Sequence, residues 1–240
     1  MKKIKIGNLE LNSFVYIPPM AGVTDLAFRK MVRLFDKDSL IATEMISSKA
    51  LMYNPEQHRM KLTSDEHPVG IQLFGHEAEV MVNAARIAEE QGADFIDINM
   101  GCPASKITKG KDGAALMREP ELAVNIAKAV VDSVKVPVTV KMRLGWNECQ
   151  KNSPELAKRL EQVGIKGFTV HRRTKEHAAA GQARPAHARQ SAREKFRCGR
   201  PAVMIQHHSP RLRPIFRADR PVLQEESALS PFVIMNRGRV

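Results

Sequence analysis

Cys102, which follows a glycine and precedes a proline, is the residue of this sequence best suited to chemistry. It lies in the run DFIDINMGCP, residues 94–103, of a 240-residue chain with only three cysteines. Gly101 lets the backbone turn sharply at the end of a strand, and a thiol placed there can donate a proton or act as a nucleophile. The alternative is a small buried core residue. The adjoining Asn99 and Pro103 favour the chemical role.

Two cations alternate with apolar residues in the run VPVTVKMRLG, residues 136–145. Strand geometry places Lys141 and Arg143 on the same face. The run is rich in valine, as expected for a strand buried on both faces, and an unpaired buried charge costs about several kcal/mol. An anionic or electron-rich ligand therefore accounts for the two cations better than a solvated strand face.

Polar residues also interrupt two other apolar runs near their ends. Gln72 lies within VGIQLFG and His171 within FTVHRR. A lone strand histidine is more often a hydrogen-bonded core residue than a ligand-binding one, so this alternative stays open for His171. The small residues of PPMAG, at 18–22, offer backbone against which a flat ligand can lie.

The elements that must position these residues alternate regularly over the first 173 residues. Strand-like runs lie at 14–22, 40–46, 69–75, 94–101, 136–145 and 167–173. Helical patterns lie at 24–34, 47–53, 77–91, 114–134 with a break at Pro120, and 154–163. Such alternation predicts a parallel sheet. The first strand lacks the GxGxxG of a doubly wound sheet, and polar residues cluster at strand ends, which favours a (β/α)8 TIM barrel.

The composition changes after residue 183. Residues 1–183 contain 17 lysines and 9 arginines, whereas residues 184–240 contain 1 lysine, 11 arginines and six prolines. The tail also carries +8 of the net charge of +12, so the basic balance is weak evidence for a polyanionic partner of the main domain. PAVMI and PFVIM can each form a strand, but only six βα units are recognisable. We therefore expect an incomplete barrel.

The remaining composition bears on compartment and metal binding. The sequence contains no apolar run near the roughly 20 residues that span a bilayer, and its start lacks the apolar core of a secretory signal. Cys102, Cys149 and Cys198 show no CxxC spacing. We expect a cytoplasmic protein with no membrane segment, no disulfide framework and no metal.

Five stretches together resemble the bacterial tRNA-dihydrouridine synthases, most closely the B subgroup. They are PPMAGVTDLAFR, GIQLFG, DINMGCPASKITKGKDGAALM, PVTVKMRLGW and TVHRRT. The resemblance runs in register from about residue 4 to 183. It implies an FMN-dependent (β/α)8 barrel that reduces uridine in tRNA to 5,6-dihydrouridine, with NADPH as the reductant of the flavin.

The resemblance also implies roles for the residues singled out above. Cys102 would be the general acid, and Asn99 and Arg143 would orient the uracil. The cofactor-binding residues would be Pro19, Met20 and Ala21 along the flavin ring, Gln72 at its pyrimidine edge, Lys141 near N1 and O2, and His171 at the flavin or towards its phosphate. In this chemistry a hydride reaches C6 of the uracil and a thiol, largely protonated at neutral pH, supplies the proton at C5. The base must first leave its stack.

The tail departs from the family. Its seventh and eighth strands, which bind the FMN phosphate, and its tRNA-gripping helical domain are not recognisable after residue 183. The abrupt change from lysine to arginine suggests a frameshift, and an Arg-rich RNA-binding extension is the alternative. We therefore divide the chain into a flavin-binding barrel portion, 1–183, and a non-matching, poorly ordered tail, 184–240, and expect weak FMN binding and little activity.

Two other functions stay open. One is another FMN-dependent pyrimidine oxidoreductase, of the dihydroorotate dehydrogenase type. The other is a non-catalytic RNA-binding remnant. The sequence identifies neither the uridine that is modified nor the oligomeric state.

Overall fold

The computed structural model describes residues 4–55, 60–178, 202–206 and 232–235. The strands are β1 (Ile4–Ile6), β2 (Leu9–Leu11), β3 (Val15–Ile17), β4 (Leu40–Ser47), β5 (Val69–Phe74), β6 (Phe95–Met100), β7 (Val138–Arg143), β8 (Gly167–His171), β9 (Ala202–Gln206) and β10 (Phe232–Met235). The α-helices are α1 (Leu26–Phe35), α2 (Ser48–Tyr53), α3 (Ala78–Glu90), α4 (Ser105–Thr108), α5 (Pro120–Ser133) and α6 (Ser153–Gln162). Single 3-10 helices lie at Gly113–Arg118 and Glu176–Ala178. No helix in these ranges is both long and apolar enough to cross a membrane.

Eight strands form a closed ring in the order β10-β3-β4-β5-β6-β7-β8-β9. Neighbours from β3 to β9 are parallel, as predicted for β3 to β8. The two tail segments predicted as possible strands fill the last positions, and β10 runs antiparallel to both β3 and β9. The six regular parallel strands with their helices confirm the predicted TIM-barrel class with six recognisable units.

Side chains alternate between the helices and the barrel interior. On β6, Ile96, Ile98 and Met100 belong to the large apolar cluster that includes α3 and α5. The intervening Asp97 and Asn99 therefore point into the barrel. The same alternation on the neighbouring strands makes the interior near the carboxyl ends unusually polar.

A hairpin covers the amino-terminal end of the barrel. β1 and β2 pair antiparallel, and Ile4, Ile6 and Leu11 cluster with interior side chains that include Phe95. A Cβ at Gly7, in the turn, would lie 3.0 Å from Pro137 Cβ, just before β7. The apolar floor leaves the opposite, carboxyl end as the open mouth.

A buried ion pair ties α1 to the segment before β5. Asp25 caps the helix by accepting a hydrogen bond from Phe28 N at 2.9 Å. One turn in, Arg29 Nε donates to Glu66 Oε2 at 2.6 Å, and the two side chains are 1% and 0% exposed. Arg29 also donates to the Thr24 carbonyl at 2.9 Å, so this pair anchors the loop that follows β3.

Candidate active site at the mouth of the barrel

The mouth is lined by polar side chains from four adjacent parallel strands. The inward residues near the carboxyl ends are Gln72, Asp97, Asn99, Thr139, Lys141, Arg143, Thr169 and His171. Asn99 lies beside Lys141 in the β6–β7 register, and Arg143 beside His171 in the β7–β8 register. Six of the residues selected from the sequence, these four with Gln72 and Cys102, therefore lie in one neighbourhood.

A chain of hydrogen bonds joins Gln72 to residues 101–104, the loop between β6 and α4 that is called the Cys102 loop below. Asn99 Nδ2 donates to Gln72 Oε1 at 2.8 Å, and both side chains are buried. Asn99 Oδ1 accepts from Gly101 N at 3.1 Å and from Cys102 N at 2.9 Å. Asn99 Nδ2 also lies 3.7 Å from Met45 Sδ. The amide of Asn99 thus caps the turn in which the thiol lies.

The Cys102 loop is held from two further sides. Arg143 Nε donates to the Gly101 carbonyl at 2.6 Å, which is a short, charge-assisted contact. Ala114 N donates to the Cys102 carbonyl at 3.0 Å, and this close approach places Gly113 at a φ of +59°. Cys102 itself is half-buried and carries a free thiol. The backbone of the loop is therefore fixed, while the Cys102 side chain stays partly exposed.

Lys141 and Arg143 are electrostatically perturbed. Burial lowers the pKa of Lys141 from 10.5 to about 8, while the Asp97 carboxylate favours the charged form and Arg143 disfavours it. Burial also lowers the pKa of Arg143 to about 10, an effect opposed by the Cys102 sulfur and reinforced by Arg173. The sulfur likewise acts to raise the pKa of Lys141. The thiol and both cations thus lie within electrostatic reach of one another.

His171 links the end of β8 to Arg143. Its Nδ1 accepts a hydrogen bond from Arg173 N at 3.1 Å and lies 3.4 Å from Arg143 Nη1. Arg143 Nη1 also donates to the Thr174 carbonyl at 3.2 Å. Because Nδ1 accepts from a backbone amide, the neutral ring carries its proton on Nε2. His171 thus has hydrogen-bond partners in the protein and also lies at the mouth. The structure is compatible with both roles left open by the sequence, a hydrogen-bonded core residue and a ligand-binding residue.

The PPMAG run forms a turn directly after β3. Pro19 is buried, Met20 half-buried and Ala21 exposed, and Met20 N donates to Thr24 Oγ1 at 3.1 Å. The following Gly22 N donates to the buried Glu44 carboxylate. Glu44 adjoins Met45, whose sulfur contacts Asn99. The turn expected from the sequence to lie along the flavin ring is thus linked through Glu44 and Met45 to the rest of the mouth.

Two buried carboxylates were not selected from the sequence. Asp97 accepts from Gln72 Nε2 at 2.5 Å and from Thr139 Oγ1 at 2.6 Å, and Glu44 fixes the turn after β3. Burial raises the pKa of Asp97, although both hydrogen bonds and Lys141 oppose the change. The alternation that indicated Lys141 applies equally to Asp97 and Asn99 in FIDINM, and would have found the first carboxylate.

Within the described ranges, no group of three or more histidine, cysteine, aspartate or glutamate side chains is placed to share a metal ion. One nearby pair, His76 Nδ1 and Asp112 Oδ1 at 2.7 Å, is a hydrogen bond beside the Cys102 loop.

Solved structures support the barrel. Morphinone reductase matches 84% of this chain and 77% of its own, with a TM-score of 0.54 and 11% identity. Histamine dehydrogenase from Rhizobium sp. 4-9 matches 71% of this chain and 36% of its own, with a TM-score of 0.50 and 12% identity. At these identities the likeness concerns the fold alone.

Sequence comparison gives a more specific result. The model of the family "Dihydrouridine synthase (Dus)" matches residues 16–191. A probable tRNA-dihydrouridine synthase of Rickettsia bellii is 46% identical over 183 residues, which are 75% of this chain and 56% of that protein. The tRNA-dihydrouridine synthase B of Pseudomonas syringae is 38% identical over 185 residues, 76% of this chain and 55% of that protein. The chain spans about half the length of these relatives, and it belongs to the dihydrouridine synthase family.

Proposed function

We propose that the barrel is the catalytic portion of an FMN-dependent tRNA-dihydrouridine synthase, which reduces uridine to 5,6-dihydrouridine with NADPH as reductant. One observation carries the proposal: Asn99, Arg143 and the backbone of Gly113–Ala114 fix the Cys102 loop beside Lys141 at the barrel mouth. A thiol held in this way can deliver a proton to a base lying over the mouth. The relatives named as tRNA-dihydrouridine synthases support the same reaction.

The residues of the mouth fit the ring portion of FMN. Burial lowers the pKa of Lys141 to about 8, so an electron-rich partner above it would offset the cost of keeping its amine charged. Gln72 retains one unused amide N–H beside it, and the second N–H of Asn99 contacts only the weak thioether acceptor of Met45. In the proposal Lys141 and Gln72 hold the ring edge, Pro19, Met20 and Ala21 flank the ring, and His171 lies towards its far end. Bound FMN would supply the hydride for C6 of the uracil.

In the proposal, residues of this chain donate the proton and orient the uracil. Cys102 holds the proton destined for C5, on the side of the base that faces the loop rather than the barrel. Arg143 keeps the Gly101 carbonyl turned away, so the loop presents the thiol instead of a backbone oxygen. Asn99 can exchange the weak contact between its second N–H and Met45 Sδ for a uracil oxygen, and Arg143 can donate from Nη2 to another. This matches their proposed role in orienting the substrate.

The tail supports the proposal that activity is impaired. β10 is antiparallel, so its carboxyl end at Met235 pairs with Val203 near the start of β9, at the barrel end opposite the mouth. An eighth strand that held the FMN phosphate at the mouth would have to run the other way. Each charge-assisted hydrogen bond to the phosphate that is not made forfeits about 1.5–3 kcal/mol of binding free energy. We therefore propose weak FMN affinity for the chain as it stands.

We retain the division at about residue 183 as part of the proposal. Residues 1–183 are the barrel portion of a cytoplasmic enzyme, and residues 184–240 are the product of a frameshift rather than an RNA-binding extension. Resequencing the locus tests this directly. An intact reading frame with no insertion or deletion near codon 183 would rule out the frameshift.

A chimera tests the function. Residues from 184 onward are replaced by the corresponding region of the Rickettsia bellii relative, and both chains are expressed in a host without dihydrouridine synthases. We expect the chimera to purify with near-stoichiometric flavin and to form dihydrouridine in host tRNA, measured by mass spectrometry of nucleosides. Cys102→Ala in the chimera should retain flavin and lose most of the product.

Other outcomes would support different conclusions. Near-stoichiometric flavin on the unaltered chain would contradict impairment. A flavin-loaded chimera that turns over free pyrimidines but leaves tRNA unchanged would favour the dihydroorotate dehydrogenase type. Salt-sensitive RNA binding by the unaltered chain that survives Cys102→Ala and the absence of flavin would favour an RNA-binding remnant.

A further inference from the structure

We propose that Asp97 is a positioning residue that sets the direction of the hydrogen-bond chain ending at Cys102. Its carboxylate is fully buried on the interior face of β6, where it accepts from Gln72 Nε2 at 2.5 Å and Thr139 Oγ1 at 2.6 Å. Both partners lie beside it in register on the flanking strands. A buried carboxylate is costly unless it is fully hydrogen-bonded, and Asp97 has no part in the proposed proton transfer itself.

The direction follows from what each group can donate. An ionised carboxylate only accepts, so Gln72 must turn its NH2 group towards Asp97. Gln72 Oε1 then faces Asn99, which must present its own NH2 group. This leaves Asn99 Oδ1 facing the loop, where Gly101 N and Cys102 N are donors that need an acceptor. A single buried acceptor therefore orients two amides in sequence.

The reverse arrangement shows what Asp97 prevents. If Gln72 and Asn99 both flipped, the bond between them would persist in the opposite sense. Asn99 would then point its NH2 group at the backbone donors of the Cys102 loop, and the loop would lose its acceptor. An amide flip alone changes no shape, so packing does not select between the two senses. The charge-assisted contact at Asp97 selects the observed sense from the Gln72 end, and the two backbone N–H donors of the loop select it from the Asn99 end.

Substitutions separate this role from general destabilisation. Asp97→Leu removes the acceptor at the Gln72 end, so that only the two loop N–H groups still orient Asn99. Asp97→Asn keeps it, because an asparagine carbonyl can accept from Gln72 while its NH2 group donates to the hydroxyl of Thr139. Thr139→Val is the matched control, since it removes the other partner of the same buried carboxylate without touching the amide chain.

The test measures the reactivity of the Cys102 thiol without flavin or tRNA, so its outcome does not depend on the proposed function. Only the purpose of the positioning rests on that function. The folded full chain is treated with iodoacetamide, and alkylation of Cys102 relative to the exposed Cys149 is followed by peptide mass spectrometry. Loss of a hydrogen bond to the loop should raise the ratio about tenfold in Asp97→Leu. We expect a change below about threefold in Asp97→Asn and Thr139→Val, because both retain the acceptor for Gln72.

Two results would overturn the proposal. One is an unchanged ratio in a folded Asp97→Leu chain, and the other is an equal rise in Thr139→Val, which would indicate loss of stability alone. Should Asp97→Leu not fold, Gln72→Leu breaks the chain one step later with Asp97 intact. The same rise in Cys102 alkylation is then expected, and its absence contradicts the proposed direction.

Discussion

Gly113 is the residue at which a single methyl group should disturb the Cys102 loop most directly. Its φ of +59° lies in the left-handed region, and a Cβ there would be 2.9 Å from the Cys102 carbonyl oxygen and 3.1 Å from Cys102 Cβ. The first of these contacts is with backbone, which cannot rotate away as a flexible side chain can. Gly113→Ala should therefore push the loop and lengthen the bond from Ala114 N.

The magnitude has two parts that a control separates. A residue with a Cβ costs about 1–2 kcal/mol in the left-handed region, and overpacking adds about 1–3 kcal/mol. Gly92 has a φ of +89° with nothing within 4 Å of its Cβ position, so Gly92→Ala carries only the first part. We expect Gly113→Ala to lower the free energy of unfolding by about 1–3 kcal/mol more than Gly92→Ala.

Urea unfolding of both variants gives the difference in stability, and iodoacetamide labelling of Cys102 against Cys149 gives the position of the loop. Gly113→Ala should change the labelling ratio, whereas Gly92→Ala should not. Equal destabilisation by both variants, with unchanged Cys102 labelling, would refute the reasoning, because it would mean that the loop absorbs the methyl group freely.

Three further outcomes test the charges. Below pH 8, Lys141 is charged in both states, and its burial costs the native state free energy. Between pH 8 and 10.5, Lys141 is deprotonated in the native state but still protonated in the unfolded chain, so this cost disappears. Over that range, the free energy of unfolding of the wild type in urea should rise by up to about 3 kcal/mol relative to that of Lys141→Met. A difference between the two chains that does not change with pH would contradict the lowered pKa. Glu66→Gln leaves Arg29 buried and uncompensated, and should cost about 3–5 kcal/mol in the same assay, with a loss below about 1 kcal/mol counting against the pair. Lys128→Ala breaks a surface pair with Asp132, both side chains 60% exposed, and should change stability by less than about 0.5 kcal/mol.

The element pattern was largely predictable because it depends on local periodicity. The observed bounds of β4 to β8 lie within the predicted runs, apart from one added residue at the end of β4. The first run was predicted too long, since β3 ends at Ile17 where two prolines, which have no N–H, end the ladder. The predicted break at Pro120 appears as a 3-10 helix followed by α5, with the proline in its first turn.

The candidate site was predictable as a neighbourhood but not as a network. Strand ends converge in any parallel barrel, so Gln72, Asn99, Lys141 and Arg143 were found by position alone. Which amide end faces which neighbour depends on Asp97, through contacts between residues 25 and 27 positions apart in the sequence. The reversed direction of β10 was equally hidden, because no periodicity records which way a short strand enters a ring.

Among the residues that the structure describes, the hairpin of β1 and β2 closes the amino-terminal end of the barrel. The apolar cluster at this end contains Ile4, Ile6, Leu11 and Phe95, whose hydrocarbon side chains cannot relay a proton, together with the buried Tyr16. In the proposed reaction, a proton that leaves Cys102 would then be replaced most directly from the mouth, where the base also enters. Reprotonation of the thiol and exchange of the nucleic acid would then use the same opening, one after the other. Slow release of the product would therefore also delay the return of Cys102 to its protonated state.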